Sequence, residues 1–209
     1  AGATILDGTT ITTADNTAQL TLTSTDADAS TGPQLVLDRN SSSPADDDRV
    51  GEIAFTGRND ANQTTEFAII QSRIIDASDG TEDGRLILQN IMAGNVVGVM
   101  ENNSTETVFN QNSVDNDFRV ESDNDANALF VEGDTGNVAI GTNDPTVQDA
   151  GMRMLHIHNS ATDGTGRSSL KLTNGDSTLA ASRGAIITLD DAAQLTIGAF
   201  ESAGKTIFT

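Results

Sequence analysis

The sequence predicts an all-β protein: short antiparallel strands in repeated sandwich-like or prism-like modules. Three observations carry this expectation. Apolar and polar residues alternate over short runs, the period-two signature of strands with one covered face. Clusters of Asp, Asn, Ser, Thr and Gly separate those runs and supply turn chemistry. Bulky side chains are scarce, with seven Phe and no Trp or Tyr among 209 residues and a hydrophobic content of 36%. That is lean for a chain that must build a core alone. Several copies sharing one core along a common axis need fewer apolar residues from each, so an oligomer is expected.

Taken in order, Ile5 to Thr13 alternates and forms a lead-in shaft segment within residues 1–17. A first β module covers 18–100, a β connector 101–150, and a second, truncated β module 151–209. The modules rest on a weak internal duplication. Leu20-Thr-Leu22 is followed fifteen residues later by Leu35-Val-Leu37, and Leu155-His-Ile157 by Leu170-Lys-Leu172 at the same spacing. Arg49-Val-Gly51-Glu-Ile53 matches Arg183-Gly184-Ala-Ile186, and Gly84 to Leu88 matches Gly204 to Phe208. Inside the first module, Glu52–Phe55 is one strand. Glu66–Ile75 is a longer one, interior by its β-branched content. Gly84–Gln89 pairs with it through the turn Asp76 to Gly84, and Asn95–Met100 is another. These strands suit antiparallel sheets packed face to face. Amphipathic helices are absent; the best helical candidate is a short turn around Pro145 to Met152. Both chain ends read as cuts in a longer polypeptide.

Residues 118–145, FRVESDNDANALFVEGDTGNVAIGTNDP, are the most informative stretch. Phe118, Val120, Leu129, Val131, Val138 and Ile140 alternate within three short segments and are expected to form the buried face. Asp134 to Asn137 is a turn, with Gly136 free to take a positive φ. Gly141 closes the last segment and Pro145 stops it.

The string Leu129, Phe130, Val131, Gly133, Thr135, Gly136, Asn137, Val138, Ile140, Gly141, Thr142 and Pro145, followed by Met154-Leu-His-Ile157, resembles the joint between segments in tail fibres and tailspike-like proteins of tailed bacteriophages. The tight match covers fewer than thirty residues. The resemblance implies an intertwined homotrimer on the virion, whose partners are other tail or baseplate proteins and a host surface glycan or protein receptor. It implies a structural and adhesive role rather than an enzymatic one. Related strings also occur in bacterial surface proteins, so a surface adhesin or filament subunit is the alternative. A fragment of a capsule depolymerase tailspike comes third.

Charge narrows the partners. Eleven basic against 31 acidic residues give a net charge of −20. Nucleic-acid binding needs a basic footprint, and adhesion to anionic lipid needs one too. No apolar run is long enough for membrane insertion, and without cysteine there is neither disulfide nor thiolate chemistry.

Candidate sites are weighed one by one, and none is assigned as catalytic, cofactor-binding or metal-binding. His156 and His158 form an H-x-H pair that shares one strand face. Around an axis of copies such imidazoles could make an octahedral metal site, as in some fibres of this class. The duplication places them opposite Thr21 and Thr23, so both are expected on the wet face. Asp123, Asp125 and Asn127 have the opening spacing of a calcium loop, but Ala128 and Asp134 stand where Gly and Glu are required. Asp46-Asp47-Asp48, Asp26 and Asp28 read as solvated loop charges. Glycan hydrolysis by paired carboxylates usually comes with aromatic platforms, which this chain lacks. No G-x-S-x-G elbow is present, and Gly164 to Ser169 lacks the lysine of a phosphate loop. Among the cations Arg49, Arg73, Arg153 and Arg183, Arg49 and the matching Arg183 suggest a structural ion pair with a carboxylate.

Overall fold

The computed structural model describes residues 8–145, 152–161, 166–172, 185–190 and 195–199. Twelve strands and no helix occur among them. β1 (Arg49–Arg58), β2 (Thr64–Asp76), β3 (Asp83–Met92), β4 (Asn95–Asn102) and β5 (Thr107–Phe109) form a five-stranded antiparallel meander in chain order. β6 (Phe118–Val120), β7 (Leu129–Val131), β8 (Val138–Ile140) and β9 (Leu155–Ile157) form a second sheet. Its last pair, β8 with β9, is parallel. β10 (Arg167–Leu172), β11 (Ala185–Asp190) and β12 (Leu195–Ala199) make a third, antiparallel sheet.

Local chemistry sets the strand ends. β3 and β4 are joined by Ala93-Gly94, both at positive φ (48° and 82°), the backbone of a two-residue hairpin turn whose twist matches the flanking strands. Gly80 takes φ 87° in the β2–β3 turn. There Asp76 accepts the Ser78 N–H at 2.8 Å and the Thr81 hydroxyl at 3.3 Å. Its carboxyl is held below the ordinary value by the Ser78 side chain first, then by that backbone bond. Four register shifts interrupt the first sheet, at Val50, Phe67, Ile75 and Val99. Val50 is the extra residue between the Arg49–Arg73 and Gly51–Ser72 pairs, and Val99 is extra opposite Leu88–Gln89. The Val99 carbonyl accepts Asn110 N–H at 3.0 Å, which starts the loop beyond β5.

The expected strands at 52–55, 66–75, 84–89 and 95–100 all lie within β1 to β4, and the three segments of 118–145 are β6, β7 and β8. The five-stranded sheet continues past residue 100 to Phe109. The lead-in has no strand over 8–13, and its first residues lie outside the described ones. Leu20–Leu22 and Leu35–Leu37 are not strands, although their counterparts in the duplication fall in β9 and β10. Arg183, Gly184 and the stretch Gly204 to Phe208 lie outside the described residues, as do 146–151 of the proposed helical turn. Among the described residues, substantial strand–strand packing is confined to neighbours within a sheet. Between the first two sheets the Phe109 and Phe118 rings meet, with centroids 5.0 Å apart.

Candidate functional site

The register sorts each sheet into two unlike faces, because residues directly opposite one another share a face. In the five-stranded sheet one row runs Glu52, Gln71, Ile87, Glu101, Val108, one residue from each strand. Its centre is buried, with Gln71 at 1% and Ile87 and Glu101 each at 7% exposure. The next row on the same face aligns Arg49, Arg73 and Arg85. Like charges directly opposite destabilise a sheet unless they are offset, and here acceptors surround them. Arg49 lies 3.7 Å from Glu52. Gln71 Nε2 donates to Glu52 Oε2 at 2.9 Å and its Oε1 accepts Arg73 Nε at 2.6 Å. Arg85 meets Glu101 at 3.3 Å and Asp47 at 3.1 Å. These bonds link the polar side chains along one face of the sheet, with the Arg85 Nε buried and without a partner.

The opposite face carries a continuous apolar row that is partly exposed, although Val97 on the same face is buried. A row of Ile53, Ile70, Leu88, Met100 and Phe109 crosses all five strands without interruption. Ile53, Ile70 and Phe109 are exposed, Ile70 by 39% beside the 1% of its chain neighbour Gln71. Phe55 and Leu86 flank the row and are exposed as well. Leu37 packs on Gly51 at the β1 edge of this face, where there is no Cβ to keep it away. Just beyond, Arg39 anchors the segment through Asp48 at 3.0 Å and the Arg49 carbonyl at 2.9 Å.

The second sheet repeats this division. Phe118, Val131, Val138 and Leu155 form a row through all four strands. None of the four is buried, and Leu155 is 56% exposed. The alternate row passes through Phe130, Ala139 and His156, and its centre is shut: Phe130 is 4% exposed and Ala139 0%. This corrects the expected interior. Phe118, Val120, Leu129, Val131, Val138 and Ile140 do share a face, but Phe130 and Ala139 on the other face are the buried residues, while Arg119 on that face is exposed. In the third sheet Leu170, Ile187 and Ile197 align in a row and all are exposed.

The individually weighed residues fall as follows. His156 is half-buried rather than wet, because it shares the closed face with Ala139; its Nδ1 is buried without a protein partner. His158 is exposed, and the two rings meet edge-on with centroids 5.7 Å apart. No cluster of three His, Asp or Glu side chains suited to a metal occurs among the described residues. The Asp125 carboxylate accepts the Asn127 N–H at 2.8 Å in a local turn. Asp46, Asp47 and Asp48 are not simply solvated, since each ties the loop to the body. Asp46 accepts Ala77 N–H at 3.0 Å, Asp47 pairs with Arg85, and Asp48 pairs with Arg39. Asp28 behaves as an exposed loop charge that accepts Ser30 N–H. Arg49 has the carboxylate partner anticipated for it.

The joint string is held by Asn137, which is 1% exposed. Its carbonyl accepts Glu132 N–H at 2.9 Å, its side-chain oxygen accepts Met154 N–H at 3.1 Å, and the next residue, Val138, donates to the Met154 carbonyl at 3.0 Å. Gly136 (φ 71°) and Gly141 (φ 79°) take the left-handed conformation on either side of β8. A Cβ on Gly141 would collide with the His158 carbonyl. No protein-family model matches the chain, and no curated protein matches it.

Proposed function

We propose that the chain is a segment of a structural fibre, built from several intertwined copies, that supports or makes attachment of a phage particle to its host cell. Three copies and the virion setting come from the resemblance of Leu129 to Pro145 to fibre joints. The observation that carries the multi-copy reading is that large apolar residues on all three sheets stay exposed within one chain. Apolar surface gains about 25 cal/mol per Å² on leaving water. A sandwich or prism would arise when copies supply one another's missing layer. The acidic surface, at −20 per chain, keeps such an extended assembly soluble. The role is mechanical and adhesive rather than catalytic, and variable loops on the outer surface would meet the receptor.

Sedimentation equilibrium at micromolar concentration tests this. The expected mass is that of three chains. A stable, fully folded monomer would overturn the reading.

A further inference from the structure

We infer that residues 110–117 form a brace that fixes the angle between the first two sheets. Their sequence, Asn-Gln-Asn-Ser-Val-Asp-Asn-Asp, has the composition of a flexible link. A free coil of that length lets its ends wander over about 15 Å. This loop instead closes on itself. Phe109 and Phe118, which flank it, bring their ring centroids to 5.0 Å. A compact loop with adjacent ends is an Ω-loop, packed by its own residues.

The loop has a foot on each sheet. On the first sheet it continues along β4 where β5 stops. The Asn110 N–H donates to the Val99 carbonyl at 3.0 Å, and the Asn112 side-chain oxygen accepts the Gly98 N–H. On the second sheet the Asp117 carboxylate accepts the Gly133 N–H at 2.9 Å. Gly133 also lies against the Asn116 backbone, where an added Cβ would stand 2.5 Å from the Asn116 nitrogen. The approach needs a residue without a side chain. Asn110 clasps the two feet together. Its Nδ2 donates to the Val114 carbonyl at 2.8 Å and to the Asn116 carbonyl at 3.4 Å, and its Oδ1 accepts the Val114 N–H at 3.1 Å. Asn110 does this from φ 62°, and Ser113 is held at φ 51°, a region that a Cβ disfavours and that the surrounding bonds must maintain. The loop is therefore a stiff coupling: a bend or twist of one sheet passes to the other instead of being absorbed between them. This goes beyond the reading above and does not depend on the number of copies, since every bond in the brace lies within one chain.

The chain has no cysteine, so two labels can be placed cleanly. Asp60→Cys and Asp134→Cys put one spin label on an exposed turn of each sheet. Doubly labelled chain is mixed with an excess of unlabelled chain, so that any assembly holds at most one labelled copy, and the distance distribution is read by pulsed electron resonance. The expected result is one narrow distance. Asn110→Gly keeps the positive φ accessible and deletes the clasp; it is expected to broaden the distribution at least about twofold while amide exchange shows both sheets still folded. Asn103→Gly removes comparable side-chain bonds in the β4–β5 turn and is expected to leave the width unchanged. If Asn110→Gly does not fold, Asn112→Ala, which deletes the bond to Gly98, takes its place. A broad distribution in the otherwise unaltered chain overturns the inference. So does a narrow one that survives loss of the clasp, or equal broadening by Asn103→Gly.

Discussion

Asn137 shows how much one side chain can organise. It is buried at the centre of the joint, and it fixes both the β7–β8 turn and the entry to β9. Asn137→Ala would leave the Met154 N–H without its acceptor in a closed setting. Leaving a buried donor unsatisfied costs about 1–3 kcal/mol. The urea midpoint should fall accordingly, and the Met154 amide should lose its protection from hydrogen exchange; an unchanged Met154 amide would show that the bond is dispensable. The turn itself was legible, since Asp-Thr-Gly-Asn followed by Val is turn chemistry and Gly136 does adopt positive φ. The bridge to Met154 was not, because it joins residues 17 apart through a contact that no local pattern encodes. The same limit applies to Asp47, whose partner Arg85 is 38 residues away.

At the level of elements, alternation located strands better than it assigned their sides. Four strands of the first sheet and three of the second lie where period-two runs and turn clusters put them. β5, Thr107-Val-Phe109, was not anticipated. In the second sheet the alternating residues do share a face, but alternation says only which side chains go together. Which face is covered depends on what lies above the sheet, and that is a tertiary fact. The β3–β4 hairpin offers an element-level test. Ala93 sits at φ 48°, a region where a Cβ costs about 1–2 kcal/mol and which Asn tolerates better. Ala93→Asn should therefore raise stability by about 0.5–1 kcal/mol in urea unfolding. A loss of stability would mean that the turn does not hold this conformation.

For the whole molecule, composition and architecture point the same way. Seven Phe with no Trp or Tyr are few for the interior of three sheets, and many large apolar residues stay exposed within one chain. If copies assemble as proposed, apolar attraction works against the mutual repulsion of chains carrying −20 each. Salt screens the repulsion and leaves apolar burial intact. Raising sodium chloride from low to physiological strength should therefore tighten the assembly, seen as a lower dissociation midpoint in dilution-series light scattering. Dissociation by salt would instead indicate that ion pairs hold the copies together. The feature hardest to read from the sequence at this scale was which apolar residues stay exposed. Patterning reports that a side chain is apolar; it does not report whether its own chain or another one covers it.

The parallel pairing of β8 with β9 bears on how such a chain carries load. The polypeptide enters at the start of β8 and leaves at the end of β9, and both strands run the same way. Tension along the chain pulls these two ends in opposite directions along the strands. The hydrogen bonds of the pair are then strained together, in shear, whereas a hairpin pulled at its open end unzips one bond at a time. The Asn137 bridge and the bond from His158 N–H to the Ile140 carbonyl at 2.8 Å stand at the two ends of this pair. In the proposed fibre this pairing would act as a lap splice, the connection that resists a lengthwise tug where a hinge would peel.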